Sequence, residues 1–282
     1  MTNGAEHLAS GDMPASGAWP KVTLHSRIEI HGTDRIVKFC ARPDEQYRVE
    51  REQRAVHRAF EAGLPVPRPF GTVTVDGLTG GVYERVEGRS MLEEIRRKPW
   101  TLVRQGRLMA DIQARIHRCP GDGLPSQREF LADRIGRADL SARLRRRVAG
   151  ILDRLPDGGA LCHGDFHPGN IIMTGDGPRV LDWEKAMRGH PLGDVAMAAF
   201  FTRLRGKPGG RFVSAAASCA GALLRAVYVR TYAHLSGVGL SQLADWDVVA
   251  TAAYLGRRGL EPGRGAALSR CLERRVNGGG GA

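Results

Sequence analysis

The chain has 282 residues, 42% hydrophobic and 26% charged, with a formal net charge of +12 and a sequence pI of about 10.1. That length suffices for two lobes around a cleft, and no run of about 18 apolar residues offers a membrane span. A chain this basic can bind nucleic acid, but aromatic residues make up 6% of it and no basic block is interleaved with them, which argues against that partner. The first 18 residues are small and polar. They lack the basic start and apolar core of a signal peptide and read as disordered. Five cysteines at positions 40, 119, 162, 219 and 271 form no C-x-x-C pair, the pattern of reduced thiols in a cytoplasm.

Residues 21–24 and 28–30 read as two strands joined by His25-Ser26-Arg27, and Gly32-Thr33-Asp34 turns into a third strand, 35–40. Lys38 sits in the middle of that strand between apolar neighbours, where a charge requires a partner. Residues 45–62 have helical spacing, with Val49, Val56 and Phe60 as apolar positions and Gly63-Leu64-Pro65 as the stop. Glu50 and Glu52 both lie on this helix. Val73 and Val75 alternate on a strand, and Asp76-Gly77 is a hairpin turn. The next strand runs from Gly80 toward Gly88. Arg143, Arg145, Arg146 and Arg147 read as the solvated face of an amphipathic helix whose apolar positions are Leu140, Leu144, Val148, Ile151 and Leu152. Later helices are expected at about 211–234, 241–257 and 265–274, followed by a disordered glycine tail, 277–282.

The most informative stretch is 161–184, LCHGDFHPGNIIMTGDGPRVLDWE. It places His163, Asp165 and Asn170 in an H-x-D-x-x-x-x-N run. Pro168-Gly169 breaks any helix. Residues 171–173 and 179–181 read as short strands joined by a turn over 174–178, so Asp165 sits on a loop while Asn170 and Asp182 flank a hairpin. Phosphoryl transfer needs such a set. One carboxylate receives or orients the acceptor hydroxyl, and an amide oxygen with a second carboxylate holds the cations that bridge the phosphates. His163, Asp165 and His167 at alternate positions could bind a metal on a strand, but Pro168 and Gly169 argue against a strand. Cys162, entering the loop, reads as a small buried residue.

His163-Gly164-Asp165-Phe166-His167-Pro168-Gly169-Asn170 followed by Leu181-Asp182-Trp183-Glu184 resembles the aminoglycoside phosphotransferase family, which takes in choline-kinase-like small-molecule kinases. Residues 189–196, GHPLGDVA, and 64–69, LPVPRP, resemble flanking segments of that family, so the resemblance runs from about Lys21 to about Asp194. It implies an α+β, protein-kinase-like bilobal fold. A small β-rich N-lobe, 19–86, would precede a larger helical C-lobe, 87–276, carrying the catalytic hairpin. It implies transfer of the γ-phosphoryl group of ATP or GTP to a small-molecule hydroxyl, with one or two Mg2+ ions, in a cytoplasmic enzyme, antibiotic resistance being one role. Asp165 would be the catalytic base. His167 would touch the transferring phosphoryl group. Asn170 and Asp182, with Glu184, would hold metal. Lys38 would grip the phosphates, and the family pattern favours Glu52 over Glu50 as its partner. His163 and Asp194 would brace the loop. Glu84 and Val86 would offer backbone groups at the hinge, and Trp183 would pack. No G-x-G-x-x-G precedes Lys38, a departure from protein kinases, so the phosphate loop would be short, with Ser26, backbone amides and Arg27 facing the phosphates.

Beyond position 194 the chain has four acidic residues against twelve lysines and arginines. A pocket for a polycationic aminoglycoside should be rich in carboxylates, so a neutral or anionic hydroxylated acceptor fits better: a nucleoside-type antibiotic, a sugar or another metabolite. A local acidic pocket built from Asp245 and Asp247 would defeat that argument. A protein serine/threonine kinase would need a longer segment than 183–193 as its activation loop. A non-catalytic nucleotide-binding scaffold sits poorly with a complete Lys38, Asp165, Asn170 and Asp182 set.

Overall fold

The computed structural model describes residues 21–22, 26–204, 215–257, 260 and 262–278. In chain order its elements are strands β1 (Lys21–Val22), β2 (Ser26–His31) and β3 (Arg35–Cys40), helix α1 (Gln46–Glu61), strands β4 (Pro69–Val75), β5 (Leu78–Glu84) and β6 (Arg89–Ser90), and helices α2 (Met91–Arg97), α3 (Leu102–Ile116), α4 (Gln127–Arg137) and α5 (Ala142–Arg154). Then come strands β7 (Ala160–Cys162), β8 (Ile171–Thr174), β9 (Gly177–Val180) and β10 (Met187–Gly189), and helices α6 (Pro191–Leu204), α7 (Ala215–Ser236), α8 (Leu243–Leu255) and α9 (Pro262–Gly278). The expected disordered start, 1–18, and residues 279–282 of the expected tail lie outside the described residues.

The chain forms two compact units. One holds the described residues up to Arg97 together with Gly169–Ala186. The other holds Lys98–Pro168 and the described residues from Met187 onward. Contacts thus group the β8–β9 hairpin, which the sequence reading assigned to the helical lobe, with the N-terminal sheet.

In the first unit β1 to β5 form an antiparallel sheet in the order β1-β2-β3-β5-β4. Alternation along β3 sends Val37 and Phe39 to one face, where they are buried with Val82 against Phe70, Val73, Val75 and Leu78. Lys38 points to the other. The turn after β4 is Asp76-Gly77, with φ of 51° and 75°, the paired positive values of a tight hairpin. Ser26 and Arg27, expected in a loop, belong instead to β2, where Ser26 pairs with Cys40 and is buried. Ser26 is therefore a strand residue rather than part of the connection, and residues 23–25 lie outside the described residues.

α1 buries Val49, Glu52, Ala55, Val56 and Ala59, one stripe at helical spacing. Phe60, expected among its apolar positions, falls just off the stripe and is exposed. The helix ends in a left-handed Gly63 (φ 68°), with the Leu64 amide donating to Ala59 O. β8 and β9 meet across a two-residue turn, shorter than the expected five, because Thr174 Oγ1 donates to Gly177 O at 2.7 Å and accepts from the Asp176 amide. Pro178 consequently lies within β9, at the sheet edge where its missing N–H costs nothing.

In the second unit α3 packs on α7, and α8 packs against α4, α5, α6 and α9. The α4 and α5 N-termini are capped by Ser126 and Ser141, which accept from Glu129 and Leu144 amides. Two arginines of the 143–147 cluster are structural rather than solvated. Arg145 donates to the Ala138 and Leu140 carbonyls, and Arg147 to Val276 O at the end of α9. Asn277, assigned to the disordered tail from sequence, is therefore helical and in contact with Arg147.

Candidate active site

Within the first unit, Lys38 meets two carboxylates. Its Nζ lies 3.0 Å from Glu52 Oε1 and 2.8 Å from Asp182 Oδ1. Each element contributes a reason. β3 holds the lysine mid-strand, the buried stripe of α1 carries Glu52, and the chain leaving β9 presents Asp182. Glu50, the alternative partner, is exposed. Burial alone would lower the lysine pKa, but Glu52 and Asp182 outweigh it and hold the ammonium above its ordinary value. Burial pushes the Glu52 carboxyl up, partly offset by Lys38. Asp182 adopts a left-handed backbone (φ 66°, ψ 61°), a conformation costly for a non-glycine residue and typical of functional sites. Trp183 follows, fully buried, donating Nε1–H to Val180 O and its amide to Glu52 Oε1. It packs as expected and locks the chain beside Asp182.

Asn170 and Asp182 flank the open end of the β8–β9 hairpin, where the Leu181 amide donates to Asn170 O at 2.8 Å. These residues suit a hard divalent cation, which takes oxygen donors. The Asp182 side chain remains 43% exposed while Lys38 engages it. Glu184 is bonded to Arg48, a partner sequence reasoning does not single out. At the end of β5 the Glu84 amide donates to Arg68 O, its carboxylate accepts from the Arg68 amide at 3.0 Å, and the Arg85 amide donates to Asp34 O.

Within the second unit, the loop after β7 carries His163, Asp165 and His167. Asp194, near the start of α6, accepts from the His163 and Gly164 amides at 3.0 and 2.8 Å. It also accepts from Gln113 Nε2 at 2.8 Å and lies 3.0 Å from His117 Nε2. Burial would raise its pKa, but the bond and charge of His117, the charge of His163 and the Gly164 amide bring it down to about 2. The Asp165 amide donates to His163 Nδ1 at 3.2 Å, which fixes the loop from within. His167 is buried, its Nε2 3.8 Å from Asp165 Oδ1. Gln113, His117, Tyr228 and Tyr232 complete a buried polar cluster: Tyr228 donates to Gln113 Oε1, and Tyr232 Oη lies 2.7 Å from His117 Nδ1. The sequence held one signal for it. Gln113 and His117 stand four apart on the stripe that also carries Met109, Ile112 and Ile116. Cys162 is fully buried, and burial pushes its thiol well up. It is no nucleophile.

Comparison with known proteins places the chain in a family. The family model described as "APH: Phosphotransferase enzyme family" matches residues 24–235. The acyl-CoA dehydrogenase family member 11 of Gallus gallus is 30% identical over 181 residues, covering 55% of this chain but 23% of that protein. A thermostable aminoglycoside phosphotransferase APH(4)-Ia superposes with a TM-score of 0.66 at 17% identity, covering 94% of this chain and 95% of the other. An amicoumacin kinase solved with AMP-PNP, Ca2+ and amicoumacin gives 0.66 at 12% identity, covering 96% and 90%. These likenesses show a protein-kinase-like fold, and with a family model spanning most of its length the chain belongs to the phosphotransferase enzyme family.

Proposed function

We propose that the protein transfers the γ-phosphoryl group of ATP or GTP to a hydroxyl of a small molecule. The observation that carries this reading is the contact of Lys38 with both Glu52 and Asp182, a lysine held ready for phosphates by one buried carboxylate and linked to a second that faces solvent. Lys38 would position the α- and β-phosphates. Glu52 fixes the direction in which the ammonium points. Asp182 and Asn170, with Glu184 beside Arg48, would hold Mg2+, which neutralises charge on the β- and γ-oxygens when bound. The Glu84 carbonyl and the Val86 backbone would meet the purine edge.

Asp165 would accept or orient the proton of the acceptor hydroxyl. His163 and Asp194 hold the loop so that the Asp165 carboxylate keeps one position, and His167 beside it would contact the transferring group. The related structures were solved with such ligands, ADP and hygromycin B in one and AMP-PNP with amicoumacin in another, which supports a nucleotide and a hydroxylated small molecule here. The family supports a phosphotransferase rather than a scaffold, and 183–193 is short for a peptide-docking segment. A cytoplasmic setting fits thiols that are all unpaired among the described residues.

Asp182→Ala tests the nucleotide half. Calorimetric titration should show Mg-ATP and Mg-GTP binding falling by about 10² or more, because the charge that holds the cation is gone. Unchanged binding would mean that the hairpin has been misread.

A further inference from the structure

Beside Asp165 the second unit builds a run of aromatic rings that its helix packing does not fully bury. His167, next to the Asp165 carboxylate, meets Phe201 edge-on at 5.9 Å. Phe201 meets Tyr254 at 6.3 Å, and Phe200 lies against both, at 6.5 and 4.7 Å. Phe200 is buried, whereas Phe201 on α6 and Tyr254 on α8 each remain partly exposed. The charges around these rings are equally specific. Arg257 lies over Tyr254, 5.8 Å from its centroid. Asp247 shares a helix face with Tyr254, seven residues away, but its carboxylate is taken by Arg225. Asp245 is nine residues from Tyr254, on the opposite side of α8. Asp245 and Asp247 thus build no acidic pocket beside these rings: one is in an ion pair and the other is on a different face.

We infer that the acceptor carries a flat aromatic or heteroaromatic ring, uncharged or anionic, that packs in the angle between Phe201 and Tyr254 while its hydroxyl reaches Asp165. This rests on the phosphotransferase reading and deepens it. Phe201 and Tyr254 stand at 69° to one another, so a ring lying flat on one meets the other edge-on; both contacts form whatever the ring's substituents, and the pair selects a shape and not one compound. A polycation would meet Arg257 and a pair already neutralised, and an acceptor without a ring would leave the two aromatics wet.

The test is kcat/KM for matched acceptors with ATP: uridine against methyl β-D-riboside, phenyl against methyl β-D-glucoside, and kanamycin as the polycation. Ring-bearing members should exceed their ring-less counterparts by about 5- to 150-fold, the range of one stacked ring. In Phe201→Leu, and independently in Tyr254→Leu, that ratio should collapse to within about threefold. Simple damage to the fold would instead lower both members of a pair alike, and thermal melts identify a variant that fails to fold. A ratio near one in the parent, a ratio unchanged in both folded variants, or efficient transfer to kanamycin alone would overturn the inference. So would an absence of transfer to every compound while Mg-ATP still binds, a result that leaves the phosphotransferase reading standing. Loss of Mg-ATP binding by the parent would overturn both.

Discussion

Lys38 is a charge whose placement is tolerable because two others face it. Its side chain is 13% exposed and that of Glu52 is 7% exposed. Removing one member of such a pair leaves the other buried without compensation, which costs about 3–5 kcal/mol. Lys38→Met should therefore destabilise by roughly that amount, and Lys38→Met with Glu52→Gln should recover much of it, because the second change removes the stranded charge. Denaturant unfolding of the two variants measures this; a double variant no more stable than Lys38→Met would show that the pair is not coupled.

Asp194 makes a separate, pH-dependent contribution. Its folded pKa of about 2 lies below the ordinary carboxyl value of 3.8. A depressed carboxyl stabilises the fold above its unfolded pKa, and that stabilisation is lost as pH falls through the folded value. It is worth about 2 kcal/mol, so the gap between the parent and Asp194→Asn should be full near neutrality and shrink between about pH 4 and pH 2. A gap constant across that window would remove Asp194 from the ledger. Lys38, Asp165 and Asp182 were legible as candidates in the sequence, because a charge inside an apolar strand and a motif of fixed spacing are local signals, whereas Glu52 was preferred to Glu50 only through the family resemblance. His117, Tyr228 and Tyr232 were not legible, beyond the four-residue spacing of Gln113 and His117. They come together from α3 and α7, more than 110 residues apart, and only tertiary packing relates them.

At the scale of elements, helical periodicity was read from the sequence, whereas helix caps and close packing were not. The Ser90–Glu93 pair that starts α2 is a reciprocal cap. Ser90 Oγ accepts from the Glu93 amide at 3.2 Å, and the Ser90 amide donates to Glu93 Oε2 at 2.9 Å. Ser90→Ala should cost about 1 kcal/mol. Gly256, at the end of α8, shows what periodicity cannot reveal. A Cβ there would fall within the van der Waals shell of the Arg134 carbonyl oxygen on α4. Backbone cannot yield as a side chain does, so Gly256→Ala should destabilise by about 3 kcal/mol or more. Thermal melts distinguish the two magnitudes, and a mild effect at Gly256 would contradict the close approach of α4 and α8. The boundaries that moved have physical causes. Ser26 joined β2 because the ladder with β3 continues to Cys40, and the β8–β9 turn tightened because the Thr174 hydroxyl supplies bonds that a longer loop would have needed.

Over the whole molecule, composition excluded more than it identified. Among the described residues no helix is long and apolar enough to cross a membrane. The net charge of +12 is partly structural, since Arg48, Arg128, Arg145, Arg147 and Arg225 bind carboxylates or carbonyls within the fold. The fold class was legible because the 161–184 motif is long and ordered, and the family model that spans 24–235 agrees with it. The aromatic pair proposed to meet the acceptor was not legible, because Phe201 and Tyr254 are more than 50 residues apart in sequence and meet only when α6 packs on α8. The central claim is that Asp165 handles the acceptor hydroxyl while Lys38 and Asp182 handle the nucleotide. Asp165→Asn tests it most directly, with turnover of the most efficient acceptor and Mg-ATP affinity measured on the same preparation. The expected result is a fall in kcat of about 10² or more with the Kd for Mg-ATP unchanged within about threefold; near-parental turnover, or loss of nucleotide binding in step with turnover, would contradict it.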